Sequence, residues 1–235
     1  MVAERDILRA SVEFSPSYAM LNVELDSGES IKAETGAMVA QQGVSMSTGT
    51  GGGGFFGGIS RMVSGESFAL NTFTAERDGG WVSLAPSTPG DILTFDLSPG
   101  QNIFLQSGSF LACSENVQTD SKFQGFRGFF SGESMFFLRA YTEGGTGTVY
   151  YNAYGAIKKV PVTPGEELVV DTGHLVAFTD DVEYSIGKVG GIRSLLTSGE
   201  GLVMKFNGNG HVWIQTRNLE SLVSKLLPFL PKSEN

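Results

Sequence analysis

Apolar and polar positions alternate with a two-residue period in three separated stretches of the chain, residues 29–40, 102–113 and 167–178. Ile31 and Ala33 mark the apolar phase of the first, Ile103 and Leu105 that of the second, and Leu168 and Val170 that of the third. This period predicts strands with one face buried, because successive side chains of a strand point to opposite faces. Downstream, residues 68–75 and 81–85, 135–141 and 148–153, and 202–206 and 211–217 read as pairs of strands joined by glycine-rich turns. The last turn, Asn207-Gly208-Asn209-Gly210, carries the Asn-Gly signal of a hairpin, and all three pairs are expected to be hairpins. A helical period occurs at residues 219–227, where Asn218 is a suitable N-cap and Pro228 a terminator. Residues 59–63 are long enough for one helical turn, and the tail from 231 to 235 is expected to fray.

The strand pattern is also periodic on a longer scale. Ser-Gly-Glu stands at Ser64-Gly65-Glu66, Ser131-Gly132-Glu133 and Ser198-Gly199-Glu200, at separations of 67 and 67 residues. Upstream, Gly28 and Gly36, Gly100 and Gly108, and Gly165 and Gly173 are each eight apart. A hydroxyl residue (Thr35, Ser107, Thr172) precedes the second glycine, and an alanine (Ala40, Ala112, Ala177) follows four residues after it. Gly80-Trp81-Val82, Gly147-Thr148-Val149 and Gly210-His211-Val212 open comparable strands. Pro89-Gly90, Pro99-Gly100 and Pro164-Gly165 mark turns. Features that recur in one order predict an all-β chain of three tandem, pseudo-symmetric repeats with few short helices. The expected units are 1–86, 87–155 and 156–218 in a single assembly, with a C-terminal helix and tail at 219–235.

Composition narrows the function classes. With 32 glycines among 235 residues and 17% charged residues, the chain suits strands joined by tight turns, since glycine enters positive φ without steric cost. Its 17 Phe, 6 Tyr and 2 Trp argue against disorder. A net charge of −9 argues against nucleic-acid binding, which requires Lys and Arg to neutralise phosphates, and disfavours an anionic membrane surface. The single cysteine, Cys113, excludes an intramolecular disulfide and a cysteine-based zinc site, and fits a reducing compartment. No apolar run approaches the roughly 18 residues of a membrane span. The opening Met1–Ala10 stretch is charged and lacks the apolar centre of a signal peptide, so a cytoplasmic protein is expected.

A set of local motifs resembles the altered-inheritance-of-mitochondria (mitochondrial biogenesis) family over nearly the whole chain. They are the glycine run at 51–58 followed by Ile59-Ser60-Arg61, Ser64-Gly65-Glu66, Asn71-Thr72-Phe73-Thr74-Ala75, Pro89-Gly90 and Ser198-Gly199-Glu200-Gly201. Leu84-Ala85-Pro86, Asp171-Thr172-Gly173-His174-Leu175-Val176-Ala177-Phe178 and Ile214-Gln215-Thr216-Arg217 complete them. The resemblance implies a fold similar to the tryptophan RNA-binding attenuation protein, a double-stranded β-helix type, with three β-sandwich units per chain and chains often grouped as trimers. Eukaryotic members of that family are mitochondrial and support inner-membrane organisation. The family supplies no established catalytic residues. The first residues lack the Arg-rich, acid-poor character of a mitochondrial presequence, so a prokaryotic cytoplasmic member is expected.

Candidate chemistry is sparse. Gly51, Gly52, Gly53, Gly54, Gly57 and Gly58 suggest a phosphate loop, but no Gly-Lys-Ser/Thr follows, and a turned loop between strands accounts for them. Phe55 and Phe56 within that loop suggest contact with a partner subunit or a membrane edge. Glu66, Glu133 and Glu200 occupy equivalent positions, yet three carboxylates facing water are the simpler reading than a cation site. His174 is expected at a surface or interface, and His211 aligns with Trp81 and Thr148, which leaves it no shared role. Cys113 lies in an apolar strand, as a buried inert thiol does. The 219–230 segment is expected to pack against the β body or a neighbouring subunit. These residues, together with the resemblance, predict a non-enzymatic structural or interaction protein, self-associating as a homotrimer, without cofactor, metal or nucleic acid. The alternative is a module holding a small ligand between repeats, with Thr35, Ser107 or Thr172 offering hydrogen bonds.

Overall fold

The computed structural model describes residues 8–50, 69–106, 108–127, 134–188 and 202–231. Among these the protein is all-β, with one short α-helix. After β1 (Arg9–Glu13) come β2 (Met20–Leu25), β3 (Ser30–Glu34), β4 (Met38–Gln42), β5 (Val44–Thr50), β6 (Ala69–Ala75) and β7 (Gly80–Leu84). A second set of six follows: β8 (Ile92–Leu97), β9 (Asn102–Gln106), β10 (Phe110–Ser114), β11 (Val117–Arg127), β12 (Ser134–Thr142) and β13 (Gly147–Asn152). The third comprises β14 (Ile157–Val162), β15 (Leu168–Asp171), β16 (Leu175–Thr179), β17 (Val182–Lys188), β18 (Leu202–Gly208) and β19 (Gly210–Gln215). A 3-10 turn, Thr172–His174, separates β15 from β16, and α1 (Leu219–Leu226) runs into a second one, Leu227–Phe229.

Strand pairing follows one order in all three sets, and every pair is antiparallel. The sixth strand lies between the first and third, as β2-β7-β4, β8-β13-β10 and β14-β19-β16. The fifth lies between the second and fourth, as β3-β6-β5, β9-β12-β11 and β15-β18-β17. Neighbouring sets are joined by the second strand of one and the third of the next, β3 to β10 and β9 to β16. The result is two six-stranded sheets, β5-β6-β3-β10-β13-β8 and β11-β12-β9-β16-β19-β14, flanked by β1-β2-β7-β4 and β15-β18-β17.

Three cores separate these four sheets. Leu21, Val23, Val82 and Leu84 meet Ile31, Ala33, Phe73, Leu111 and Ala112 in the first. Phe110, Cys113, Val149 and Tyr151 meet Ile103, Leu105, Ala177 and Trp213 in the second. The third holds Phe137, Leu175, Phe178, Met204, Phe206 and Val212. Strands β10, β13 and β16 are therefore buried on both faces along their whole length. That is why their sequences are mostly apolar or small instead of alternating, with Asn152 of β13 as a buried polar exception. A β-bulge between Phe110 and Ala112 turns Leu111 and Ala112 together toward the first core, leaving Phe110 and Cys113 to the second. The same irregularity falls between Leu175 and Ala177, and between Met38 and Ala40. The recurrent alanine is thus the residue beside a recurrent bulge.

The structure corrects the hairpin expectation. β6 and β7 lie in different sheets, as do β12 and β13, and β18 and β19. The glycine-rich turns are crossovers from one layer to the next. Gly80 is needed there for close approach, since a Cβ would stand 2.8 Å from the Gly43 carbonyl oxygen. At Gly147 a Cβ would overlap Val117 Cγ2, and at Gly210 the Asp181 carboxylate. The polar 44–50 stretch, which no alternation marks as buried, is strand β5. The expected helical turn at 59–63 and all three Ser-Gly-Glu tripeptides lie outside the described residues. Gly28, Gly100 and Gly165 all have φ between +84° and +87° and turn the chain into the second strand of each set. Gly173 differs from Gly36 and Gly108: it has no positive φ and instead makes room for the Asn218 side chain.

Phe178 stands at the centre of the third core, 5.1 Å from Phe104, 5.2 Å from Phe137 and 5.0 Å from Tyr184, ring centre to ring centre. Phe178→Ala is expected to cost about 3–5 kcal/mol, and Gly147→Ala about 1–3 kcal/mol through overpacking against Val117. Denaturant unfolding monitored by tryptophan fluorescence measures both.

Candidate interaction surfaces

Within the chain, the second and third strands of a set are interior strands of a sheet wherever a neighbouring set exists. Among the described residues, two such strands lack that neighbour. β4, the third strand of the first set, is an edge of the four-stranded sheet, and β15, the second strand of the last set, is an edge of the three-stranded one. Burial differs accordingly. β10 and β16 are buried throughout, whereas all five residues of their counterpart β4 are exposed. Met38 and Val39 are 41% and 56% exposed, while Phe110 and Leu111, at the same places in β10, are 2% and 0%. On β15, Val169 is 47% exposed.

Four other sheet edges are guarded. β14 presents Lys158, Lys159 and Pro161, β8 presents Asp96, β1 Arg9 and Glu13, and β17 Glu183. Charges and proline of this kind oppose pairing with another strand. β5 carries four hydroxyl residues instead. β4, with the sequence Met-Val-Ala-Gln-Gln, has neither charge nor proline. β15 has one charge, on Asp171, whose carboxylate accepts from Gly173 N at 2.9 Å and so starts the 3-10 turn.

His174 ends that turn. Its ring is half-buried, and Nδ1 donates to the Gln215 carbonyl oxygen at 2.8 Å, which fixes the proton on Nδ1 in that bond. Gln215 Nε2 donates back to the Gly173 carbonyl at 3.0 Å, and Gln215 Oε1 accepts from Tyr154 N at 2.9 Å. Asn218, packed over Gly173, caps α1 by accepting from Ser221 N at 3.2 Å. The histidine therefore ties the end of β15 to the end of β19 and the start of the helix. It acts as a structural brace.

The helix presents Leu219, Leu222, Val223 and Leu226, and the chain beyond it Leu227, Phe229 and Leu230, all exposed. No residue of α1 is buried. At the opposite end of the chain, Phe14 and Tyr18 in the β1–β2 connection are 65% and 74% exposed. Exposed large apolar side chains of the described residues thus gather near the beginning and end of the chain, apart from Met38, Val39, Met46 and Val169 on strands β4, β5 and β15.

The remaining sequence candidates divide clearly. Gly51, Gly52, Gly53, Gly54, Phe55, Phe56, Gly57 and Gly58 lie outside the described residues, as do Glu66, Glu133, Glu200 and Ser107. Among the described residues, no group of three or more His, Cys, Asp or Glu side chains is placed to hold a metal ion. The Thr35 hydroxyl donates to the Ala69 carbonyl at 2.8 Å, which commits it to the fold. His211 packs beside Trp213, 6.1 Å between ring centres. Cys113 is fully buried, and desolvation pushes its thiol up to about 12 against a partial offset from the Lys32 charge. The edge strands were the feature that sequence patterns missed. A comparison of Met38-Val39 with the buried Phe110-Leu111 and Leu175-Val176 could have found them, because apolar residues persist where no neighbour is present to cover them.

The geometry defines an all-β protein of interlocked antiparallel sheets with unguarded, apolar strand edges at its two ends. The chain belongs to the family described as Mitochondrial biogenesis AIM24, whose profile matches residues 11–217. It is 32% identical over 236 residues to an uncharacterised protein of Streptococcus pyogenes serotype M6, across 97% of this chain and 93% of that protein. It is also similar to an S. pyogenes protein of known X-ray crystal structure, with a TM-score of 0.78 and 29% identity over 95% of this chain and all of that one.

Burial also sets a pH dependence. Folding favours the neutral Cys113 thiol and the neutral Tyr150 phenol, which desolvation and the Asp96 charge push up to about 12. Each contribution is full below the unfolded pKa, near 9 for the thiol and near 10 for the phenol, and is lost as pH rises toward 12. Denaturation midpoints should therefore fall between pH 9 and 12, and Cys113→Ala should fall less steeply. In the native protein at pH 8, an aromatic disulfide reagent should leave Cys113 unmodified and should label it on unfolding.

Proposed function

We propose that this is a non-enzymatic structural or interaction protein that assembles with itself, head to tail, by pairing β15 of one copy with β4 of the next. The carrying observation is that the second-to-third-strand junction occurs twice within the chain while its two halves stand open at the ends. In this reading the three six-strand sets are tandem β-sandwich repeats, related to the fold of the tryptophan RNA-binding attenuation protein, within units 1–86, 87–155 and 156–218.

The internal junctions supply a register. Ala33 faces Ala112, Lys32 faces Cys113 and Ile31 faces Ser114, while Leu105 faces Ala177, Phe104 faces Phe178 and Ile103 faces Thr179. Applied to the open ends, the same register sets Val170 against Ala40, Val169 against Gln41 and Leu168 against Gln42 of the next copy. Val39 and Ala40, turned together by their bulge, then enter the third core of the preceding copy. Each added backbone hydrogen bond contributes roughly 0.5–1.5 kcal/mol, and each buried Met or Val about 1.5–3 kcal/mol. β4 and β15 are not self-complementary, so the contact is heterologous and produces a ring where the rotation closes. Closure after three chains is the number that the family resemblance implies. A cytoplasmic location belongs to this reading on the strength of the single, buried cysteine.

Native mass spectrometry at micromolar concentration is expected to give three chains per particle. Val39→Lys, a change on an exposed edge, should give a folded single chain of unchanged circular dichroism. A wild-type protein that remains a single chain rules the reading out. A small molecule retained by protein purified from its source would favour the alternative of a ligand module instead.

A further inference from the structure

We propose that the C-terminal segment 219–230 is a strap that packs its apolar face on the Phe14–Tyr18 connection of the next copy. This inference rests on the head-to-tail reading and assigns a second contact to the same junction. It starts from the course of the chain between sets. The sixth strand of one set leads into the first strand of the next through residues 85–91 after β7 and through residues 153–156 after β13. Asn152 and Ile157, the ends of the shorter link, are five residue steps apart and so at most about 18 Å from each other. The chain leaves β19 at the equivalent point, where a fourth set would begin. In an assembly that continues the series, the first strand there is β2 of the next copy. Its start, with Tyr18 just before it, therefore falls within about 18 Å of Gln215.

Contacts between the links support that placement. Ala19 N donates to the Gly90 carbonyl, and Asp91 N donates to the Gly155 carbonyl, both at 2.9 Å. Gly90 and Gly155 form a parallel bridge. The segments that precede β2, β8 and β14 thus lie side by side in order. The next place in that order is beside Gly155, where Thr216 and Arg217 already lie close and from which α1 departs. The next copy's residues 14–19 come to this place, against the beginning of the helix.

The chemistry of the two surfaces agrees. Leu219, Leu222, Val223 and Leu226 follow the i, i+3, i+4, i+7 spacing of a single helix face, and all four remain 38–50% exposed. Asn218 caps the helix, and the His174 and Gln215 hydrogen bonds hold its root. Phe14 and Tyr18 offer two large rings on the facing loop, and the Phe14 backbone (φ 60°) adopts a left-handed conformation that bulky residues rarely take. Two unmatched apolar surfaces brought to one junction by the same succession of sets cover each other. They also extend a contact that a four-residue strand supplies only in part, since a stable interface buries well over 1,000 Å² in total.

The test uses the full chain. Leu222→Cys and Tyr18→Cys are made in separate chains, mixed and oxidised. A disulfide-linked species of twice the chain mass should form in the mixture far faster than in either protein alone. Leu222→Glu/Leu226→Glu should weaken assembly at least tenfold by dilution mass photometry. In the Val39→Lys single chain the same pair of changes should leave the melting temperature unmoved. Three-chain particles without the mixed disulfide, and with unchanged affinity in the double variant, overturn the strap and leave strand pairing standing. A wild-type single chain overturns both. A lowered melting temperature in the Val39→Lys background overturns the strap in favour of packing on the chain's own body. Leu222- and Leu226-dependent flotation with phosphatidylcholine–phosphatidylglycerol vesicles overturns it in favour of a membrane.

Discussion

The architecture depends on the pairing of the second strand of one six-strand set with the third strand of the next. That junction, β3 with β10 and β9 with β16, builds each six-stranded sheet from parts of two sets. It places β10, β13 and β16 between two cores, so that their side chains serve one core on each face. Such strands need apolar residues in both phases and a means of distributing them. The recurrent bulge does this, sending Leu111 and Ala112 one way and Phe110 and Cys113 the other.

Much of this was legible in the residues, though not evenly. Alternation at Ile31 and Ala33, Ile103 and Leu105, and Leu168 and Val170 located the second strands, since a half-buried strand writes its two faces into its sequence. Asn218 and Pro228 located the helix because a cap and a terminator are local chemistry. The crossovers were misread as hairpins for the same reason. Gly79-Gly80, Gly144-Gly145 and Gly208 satisfy tight backbone turns, but the sheet that receives the next strand is decided by core packing far away in sequence. β5 escaped notice because Ser45, Ser47 and Thr48 lie on a sheet edge and need no apolar pattern.

The candidate site was less legible than the fold. Gly51–Gly58 drew attention by composition and lies outside the described residues. His174 drew attention as a rare residue and proves to brace a turn through Gln215. Met38 and Val39 look ordinary as a dipeptide. They become informative only when set beside the buried residues at the same places in β10 and β16, because exposure of an apolar pair is a property of the missing neighbour.

Interlocking also imposes an order on biosynthesis. The first core is closed by Ile92, Leu111, Ala112 and Tyr150, all of which follow Leu84, the last residue of the first set to enter it. A chain emerging from a ribosome therefore carries an unfinished core from the appearance of Leu84 until Tyr150 follows. At about 5–20 residues per second that interval lasts roughly 3–13 s. During it Ile31, Phe73 and Val82 have water or a chaperone where their final neighbours will be. The nascent first set is thereby a stage of this protein's life open to aggregation.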